Sequence, residues 1–136
     1  MINHIKIVET ILYVADQRVS TVFYQNILRK KADLNVPGMT EFVFSDNFKL
    51  GLMPNDGIAK ILSDKTPDPG SGIGIPRCEL YLYLENVKAE FENAIKHGAK
   101  LISPILNTNW RDRVCYFSDS DGHIIAFAEK ENKNEE

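Results

Sequence analysis

One sequence pattern occurs twice in this chain of 136 residues. The segments VETILYVADQ and CELYLYLENV begin at residues 8 and 78, and each places a glutamate and a tyrosine at equivalent positions of a strand-like run. The matched residues are Glu9 and Glu79, Leu12 and Leu82, and Tyr13 and Tyr83. Such an internal repeat predicts a fold built from two copies of one supersecondary unit, and it constrains the fold more than any other feature.

The segments around the two copies predict the same order of elements. In the first half, apolar spacing predicts a helix over 17–29 and strands over 7–14, 32–36, 41–45 and 48–53. In the second half, it predicts a helix from 87 to about 97 and strands over 78–84, 100–103, 113–119 and 123–129. Asp16 and Asn86 occupy N-cap positions, and Gly98 follows the second helix, where glycine is favoured. The sequence therefore predicts an α+β fold of two βαβββ modules.

Residues 54–76 separate the two halves. The segment is rich in proline and glycine, which predicts a linker or lid with at most one helical turn, at 58–63. We therefore predict a single domain over 1–136, with module one at about 7–53, the linker at 54–76, module two at about 77–130 and a polar tail at 131–136.

Bulk composition narrows the classes of function. A formal net charge of −3 disfavours a nucleic-acid-binding surface, and the longest apolar runs are too short to span a membrane. No secretory signal is visible at the start, and Cys78 and Cys115 are widely spaced inside strand-like runs, which favours buried, reduced thiols. These features predict a cytoplasmic protein without nucleic-acid or membrane partners.

Side chains alternate across a strand, so each strand of the repeat has two different faces. Leu80, Leu82, Leu50, Leu52, Ile125 and Phe127 are predicted to pack under the helices. The opposite faces carry Glu9, Ile11 and Tyr13 in the first half and Glu79, Tyr81 and Tyr83 in the second, with Lys49, Gly51, Met53, Ile124, Ala126 and Ala128 on the closing strands. This polar, aromatic and small lining is typical of a binding cleft, and we predict that Glu9 and Glu79 face each other across it.

Two longer motifs resemble those of a known superfamily. The segment WRDRVCYFSDSDGHIIAFAE, residues 110–129, and the opening ETILYVADQRVSTVFYQNIL are similar to segments of the glyoxalase/bleomycin-resistance/extradiol-dioxygenase (vicinal oxygen chelate) superfamily. Ser120 stands where that family usually has proline. The resemblance implies two βαβββ modules forming an open half-barrel cleft. It does not imply one reaction, because this fold hosts isomerases, dioxygenases, resistance enzymes and metal-free binders.

The resemblance also implies four metal-ligand positions, which fall on Glu9, Gly51, Glu79 and Ala126. Gly51 and Ala126 have no ligand atom and none of the four is histidine, so no complete transition-metal site is expected. One reading gives Glu9 and Glu79 a weakly held hard cation such as Mg²⁺, Mn²⁺ or Ca²⁺. The other has the two glutamates hydrogen-bonded to tyrosine hydroxyls or paired with Lys49.

The sequence is compatible with two functions from different classes. The first is a binding module for a small aromatic or cationic molecule, with Tyr13, Lys49, Met53, Tyr81, Tyr83, Trp110 and Arg111 as ligand-binding residues. The second is a lactoylglutathione-lyase-like lyase or isomerase acting on a small oxygenated substrate, assisted by a metal or by Glu9 and Glu79 as catalytic carboxylates. The resemblance implies a homodimer in either case, since such sheets leave edges to be shielded.

Overall fold

The computed structural model describes residues 4–131, which divide into two compact units after Ile73. Each unit has one four-stranded mixed sheet and the element order βαβββ, so the predicted α+β class and the repeat are confirmed. No helix of the described part of the chain is long and apolar enough to cross a membrane. Residues 132–136, most of the predicted polar tail, lie outside the described residues.

The first unit contains four strands, two helices and two 3₁₀ turns. Its elements are β1 (Val8–Val14), α1 (Gln17–Leu28), β2 (Leu34–Val36), β3 (Met39–Ser45), β4 (Phe48–Pro54), α2 (Asn55–Leu62) and the turns Ser63–Lys65 and Pro69–Gly72. The strands lie in the order β1-β4-β3-β2, with β1 parallel to β4 and the other pairs antiparallel. Asp16 caps α1 as predicted, since its Oδ1 accepts a 3.0 Å hydrogen bond from the Val19 amide.

The second unit repeats this arrangement. Its elements are β5 (Glu79–Tyr83), α3 (Val87–Lys96), β6 (Lys100–Asn107), β7 (Asp112–Ser118) and β8 (Ile124–Lys130). The sheet order is β5-β8-β7-β6, and β5 runs parallel to β8. Asn86 caps α3 through a 3.1 Å hydrogen bond from the Ala89 amide, and Gly98 follows the helix with a φ of 99°, where a side chain would be strained.

Each unit buries one face of its sheet under a helix, as the alternation predicted. In the first unit, Leu50 and Leu52 of β4 are fully buried together with Tyr24 of α1. In the second, Phe117 and Phe127 are fully buried and meet edge to face, with ring centroids 4.9 Å apart. Burial of these faces supplies the hydrophobic stabilisation of each unit and leaves the opposite faces for other contacts.

Three local predictions were wrong or incomplete. The predicted linker begins with α2, an eight-residue helix that buries Ile58 and has Asp56 in its first turn, where a negative charge favours the helix dipole. Strand β6 continues past Pro104 to Asn107 through two register shifts, so it is twice the predicted length. Cys115 is buried as expected, whereas Cys78 is exposed just before β5.

Candidate functional site

The open face of the first sheet carries the residues that the alternation predicted. Strand β1 lies beside β4 in parallel register, and the paired residues on this face are Glu9 with Lys49, Ile11 with Gly51, and Tyr13 with Met53. Tyr13 is exposed, while Lys49 and Met53 are half-buried. The register therefore brings the predicted residues of the first half onto one continuous surface, which we call the Glu9 face.

A carboxylate oxygen on the Glu9 face is buried without a partner. Glu9 is half-buried, and its Oε2 has no hydrogen-bond partner among the described residues. A Cβ atom added to Gly51 would lie 2.6 Å from that oxygen, closer than van der Waals contact allows. The missing side chain at Gly51 is thus what makes room for the Glu9 carboxylate.

The nearest charged neighbours of Glu9 are Glu41 and Lys49. Lys49 Nζ lies 3.5 Å from Glu41 Oε1, so its ion pair is with Glu41 rather than with Glu9. Burial raises the pKa of Glu9 above its usual value, the neighbouring carboxyl group of Glu41 raises it further, and Lys49 acts in the opposite direction. The Glu9 carboxyl group therefore loses its proton at a higher pH than a free glutamate side chain does.

The open face of the second sheet is built on small and aromatic side chains. Val114, Ala126 and Ala128 are fully buried, and Tyr81 and Tyr116 pack against them. Tyr81 pairs with Ala126 across the β5–β8 ladder, so the small side chain at that position lies next to the tyrosine. We call this surface, together with Glu79 and Tyr83, the tyrosine face.

A buried aspartate organises the tyrosine face. Asp112, the first residue of β7, is fully buried, and its Oδ2 accepts hydrogen bonds of 2.7 Å from the hydroxyls of both Tyr81 and Tyr83. Lys130 Nζ lies 3.4 Å from the other oxygen, Oδ1. The tyrosine hydroxyls therefore bind Asp112 and not Glu79, contrary to one reading of the sequence.

The titration of this cluster follows from its hydrogen bonds. Burial acts to raise the pKa of Asp112, but hydrogen bonds from Tyr83 and Tyr81 and the nearby ammonium group of Lys130 outweigh it and hold that pKa below its usual value. Burial raises the pKa of Tyr81 to about 12, with Asp112 adding to the effect and Trp110 opposing it. At neutral pH the cluster thus contains an ionised Asp112 carboxylate and a neutral Tyr81 phenol.

Two further side chains complete the network from outside. The indole nitrogen of Trp110 donates to the Tyr81 hydroxyl at 3.1 Å, and Lys130 Nζ donates to the Tyr83 hydroxyl at 3.3 Å. The ammonium of Lys130 also lies 4.6 Å from the centre of the Tyr83 ring, within the range of a cation–π contact. Trp110 and Tyr83 nevertheless remain 58% and 53% exposed, so much of their aromatic surface faces solvent.

The remaining predicted residues lie at the margins of these faces. Glu79 is exposed at the start of β5, and its charge adds to burial in raising the pKa of Tyr116. Arg111 is exposed and adopts a positive φ of 69° in the turn before β7. The prediction that Glu9 and Glu79 face each other concerns the arrangement of the two units and stays a prediction.

Sequence reasoning missed Glu41, Asp112 and Lys130. Glu41 pairs with Gly51 across β3 and β4, so it lies on the Glu9 face. Alternation along the strand from 41 to 45 is the sequence signal that could have found it. Asp112 alternates with Val114 and Tyr116 in the same way, but the predicted strand began one residue after it. Lys130 had no local signal, because it joins the cluster only through the register of β7 with β8.

The residues at the four family positions do not fit the family's metal ion. Gly51 and Ala126 supply no donor atom, which leaves one carboxylate in each unit. Over residues 4–131, no group of three or more histidine, cysteine, aspartate or glutamate side chains is placed to hold a metal ion. A transition-metal site of three or four protein ligands therefore has no donor set here.

Comparison with known proteins gives a family and a fold. The family model described as a glyoxalase-like domain matches residues 7–131. Among curated proteins, none matches this sequence.

Several solved structures share the fold at low sequence identity. A glyoxalase-related enzyme from Fulvimarina pelagi is 16% identical, with 91% of this chain and 87% of that chain covered and a TM-score of 0.76. A glyoxalase/bleomycin resistance protein/dioxygenase from Nocardioides is 18% identical, with 98% and 88% covered and a TM-score of 0.74. A protein of unknown function from Agrobacterium tumefaciens is 24% identical, with 95% and 97% covered and a TM-score of 0.77. At these identities, the likeness concerns the fold alone.

Proposed function

This chain belongs to the glyoxalase-like domain family, and from that premise we propose that it binds a small molecule on the tyrosine face. The proposed ligand is a planar aromatic molecule that carries a protonated amine or guanidinium group. The observation that carries the proposal is the direction of the two tyrosine hydroxyl protons, which Asp112 determines.

An ionised carboxylate can only accept hydrogen bonds, so both tyrosines must donate their protons to Asp112. The lone pairs of the two hydroxyl oxygens then remain as acceptors for other donors, and the oxygen of Tyr81 already accepts a hydrogen bond from the indole N–H of Trp110. A ligand that reaches these hydroxyls must therefore supply donors of its own. An ammonium or guanidinium group has donors and no acceptor, which matches this requirement.

The surroundings favour the same ligand. Glu79 adds an exposed negative charge at the start of β5, and the indole of Trp110 offers an open ring face for stacking. The Tyr83 ring already carries the Lys130 ammonium at 4.6 Å, which illustrates that this surface suits a cation over an aromatic ring. The cationic group of the ligand would lie near Glu79 and Tyr81, away from Lys130.

Trp110 is the only tryptophan of the chain, so its fluorescence reports directly on this face. Titration with benzylamine or phenylguanidine should change the Trp110 emission in a saturable way, whereas phenylacetate should not. Glu79→Gln should weaken amine binding about tenfold with an unchanged melting temperature, as expected for the loss of one charge-assisted contact.

The matched control for that variant is Glu85→Gln. Glu85 is also exposed and follows β5, but it lies outside the tyrosine face. Equal amine binding by Glu79→Gln and the parent would contradict the proposal, as would a large loss of melting temperature in Glu79→Gln.

A second function, proton abstraction by Glu9, is favoured by a different observation. The raised pKa of Glu9 and the space left by Gly51 suit a general base that removes a proton next to a carbonyl group, the step shared by many lyases and isomerases. Hydroxyacetone in D₂O should then exchange its α-hydrogens in the presence of the protein, as followed by NMR. Glu9→Gln should abolish the exchange and Glu85→Gln should retain it. Exchange no faster than in buffer would exclude this function for that substrate.

We also propose that the protein forms a homodimer. The support is the edge strand β6, on which Leu101, Ile102 and Leu106 are all exposed, since an uncovered apolar edge favours association. Light scattering across a wide concentration range should give twice the chain mass. A monomer mass throughout would rule the dimer out.

A further inference from the structure

A pocket lies in the first unit, on the side of the sheet covered by α1. Its volume is about 710 Å³, which is within the usual range for small-molecule sites. The walls come from α1, with Arg18, Val22 and Gln25, and from the end of β2 and the turn after it, with Asn35, Val36 and Pro37. Because α1 covers the sheet face opposite Glu9, this pocket is separate from the Glu9 face, and none of its lining residues belongs to the tyrosine face.

Hydrogen bonds from α1 to the end of β2, to the turn after it and to β3 fix the shape of this pocket. Gln17 Nε2 donates to the Val36 carbonyl at 2.8 Å, and Gln17 Oε1 accepts from the Gly38 amide at 3.0 Å. Beside it, the hydroxyls of Thr21 and Thr40 are 2.8 Å apart, and both residues are buried. The helix and the turn are therefore tied together, and the pocket is preformed rather than dependent on a ligand.

The polar groups left over at the walls are donors. A backbone N–H can only donate, so the 3.0 Å hydrogen bond from the Ala32 amide identifies its acceptor as the side-chain oxygen Oε1 of Gln25. The side-chain NH₂ group of Gln25 is then left to donate to a ligand. Asn35 Oδ1 accepts from the Thr40 hydroxyl at 3.4 Å, and in this orientation of the side chain the Asn35 amide nitrogen is left to donate to a ligand. Two primary amides thus offer N–H groups at the pocket.

The charges at the pocket are Arg18 and Asp16. The Asp16 carboxylate caps α1 through the Val19 amide, where the positive end of the helix dipole offsets its charge. No carboxylate of the described residues pairs with Arg18, which is exposed at the pocket wall. Arg18 and Asp16 are two residues apart and do not face each other along the helix, so the guanidinium is available to an anion.

From this combination we infer that the pocket binds a small carboxylate with a short apolar body. The guanidinium of Arg18 would pair with the carboxylate, the amides of Gln25 and Asn35 would donate to its oxygens, and the body would lie on Val22 and Pro37. Val22 is 51% exposed, so its side chain is open to such a contact.

Phenylacetate and its neutral isostere phenylacetamide provide the test. Titration of the full-length protein, followed by backbone amide NMR shifts, should show saturable binding of phenylacetate with a Kd on the order of 1 mM or tighter. The shifts should be confined to residues 16–25 and 35–38. Phenylacetamide and the Arg18→Gln variant should each show affinity about tenfold weaker, as expected for the loss of one charge-assisted contact.

The matched control is Lys31→Gln, which removes an exposed cation beyond the end of α1 and outside the pocket. It should bind phenylacetate like the parent. Absence of a saturable shift, equal affinity for phenylacetamide, unchanged binding by Arg18→Gln, or shifts centred on the tyrosine face would each overturn the inference. None of these results depends on whether amines bind the tyrosine face.

Discussion

Replacement of Asp112 by asparagine tests the network that organises the tyrosine face. The parent carboxylate is fully buried and accepts two hydroxyl hydrogen bonds of 2.7 Å. Asparagine keeps one oxygen near the tyrosines, but its bonds lose their charge assistance, about 1 kcal/mol each. Its NH₂ group then lies where Oδ1 was, a buried position without an acceptor, which costs about 1–3 kcal/mol. We therefore expect a loss of about 3–5 kcal/mol in the free energy of unfolding.

The pH dependence of this loss is specific to the proposed cause. The folded-state pKa of Asp112 is lowered from the ordinary 3.8, so its stabilising contribution is present above pH 3.8 and is lost as the pH falls through the folded value. Asparagine does not titrate, so the difference between parent and variant should narrow in acid.

Urea unfolding at pH 7 and at pH 3, followed by far-UV circular dichroism and Trp110 fluorescence, measures both effects. Asp46→Asn is the control, because Asp46 lies exposed in the turn between β3 and β4 and should change stability little. A loss for Asp112→Asn within about 0.5 kcal/mol of this control would refute the reasoning, as would a difference that does not shrink at pH 3.

Three further predictions concern Glu9 and the glycines. The pKa of Glu9 is raised above 4.5, so its stabilising contribution is present below pH 4.5 and is lost as the pH rises through the folded-state pKa. Glu9→Gln should lack this loss of stability and should melt at a higher temperature than the parent at pH 8 in calorimetry. The same pH dependence of the melting temperature in both proteins would contradict this prediction. Gly51→Ala should destabilise by about 1 kcal/mol in urea unfolding, since the new Cβ would meet Glu9 Oε2 at 2.6 Å, at the movable end of that side chain, and Ile11 Cγ1 at 3.1 Å, and it should do so less in a Glu9→Ala background. Gly122→Ala should cost about 1–3 kcal/mol because its φ is +85° and its Cβ would lie 2.6 Å from Gly74 Cα, whereas Gly72→Ala, with nothing within 4 Å, should be tolerated; equal stability of these two variants would refute this account.

Local rules were enough for most of the fold. The helix starts at Asp16 and Asn86 follow from side-chain capping, which acts within three residues. The burial of Leu50 and Leu52 in β4 follows from alternation with a period of two, whereas β8 buries Ala126 and Ala128 as well as Ile125 and Phe127. Helix α2 was predicted only as one turn at 58–63 because Pro54 and Gly57 are turn signals, whereas burial of Ile58 against the unit favours the longer helix of Asn55–Leu62.

The sequence by itself determined the two modules, their helices and which face of each main strand is apolar, because these depend on neighbours a few residues apart. Only the tertiary structure decided which polar groups meet. Asp112 binds hydroxyls 31 and 29 residues away, and Lys130 reaches a tyrosine 47 residues away. Such contacts depend on strand register, and register is set by packing of the whole sheet rather than by any local pattern.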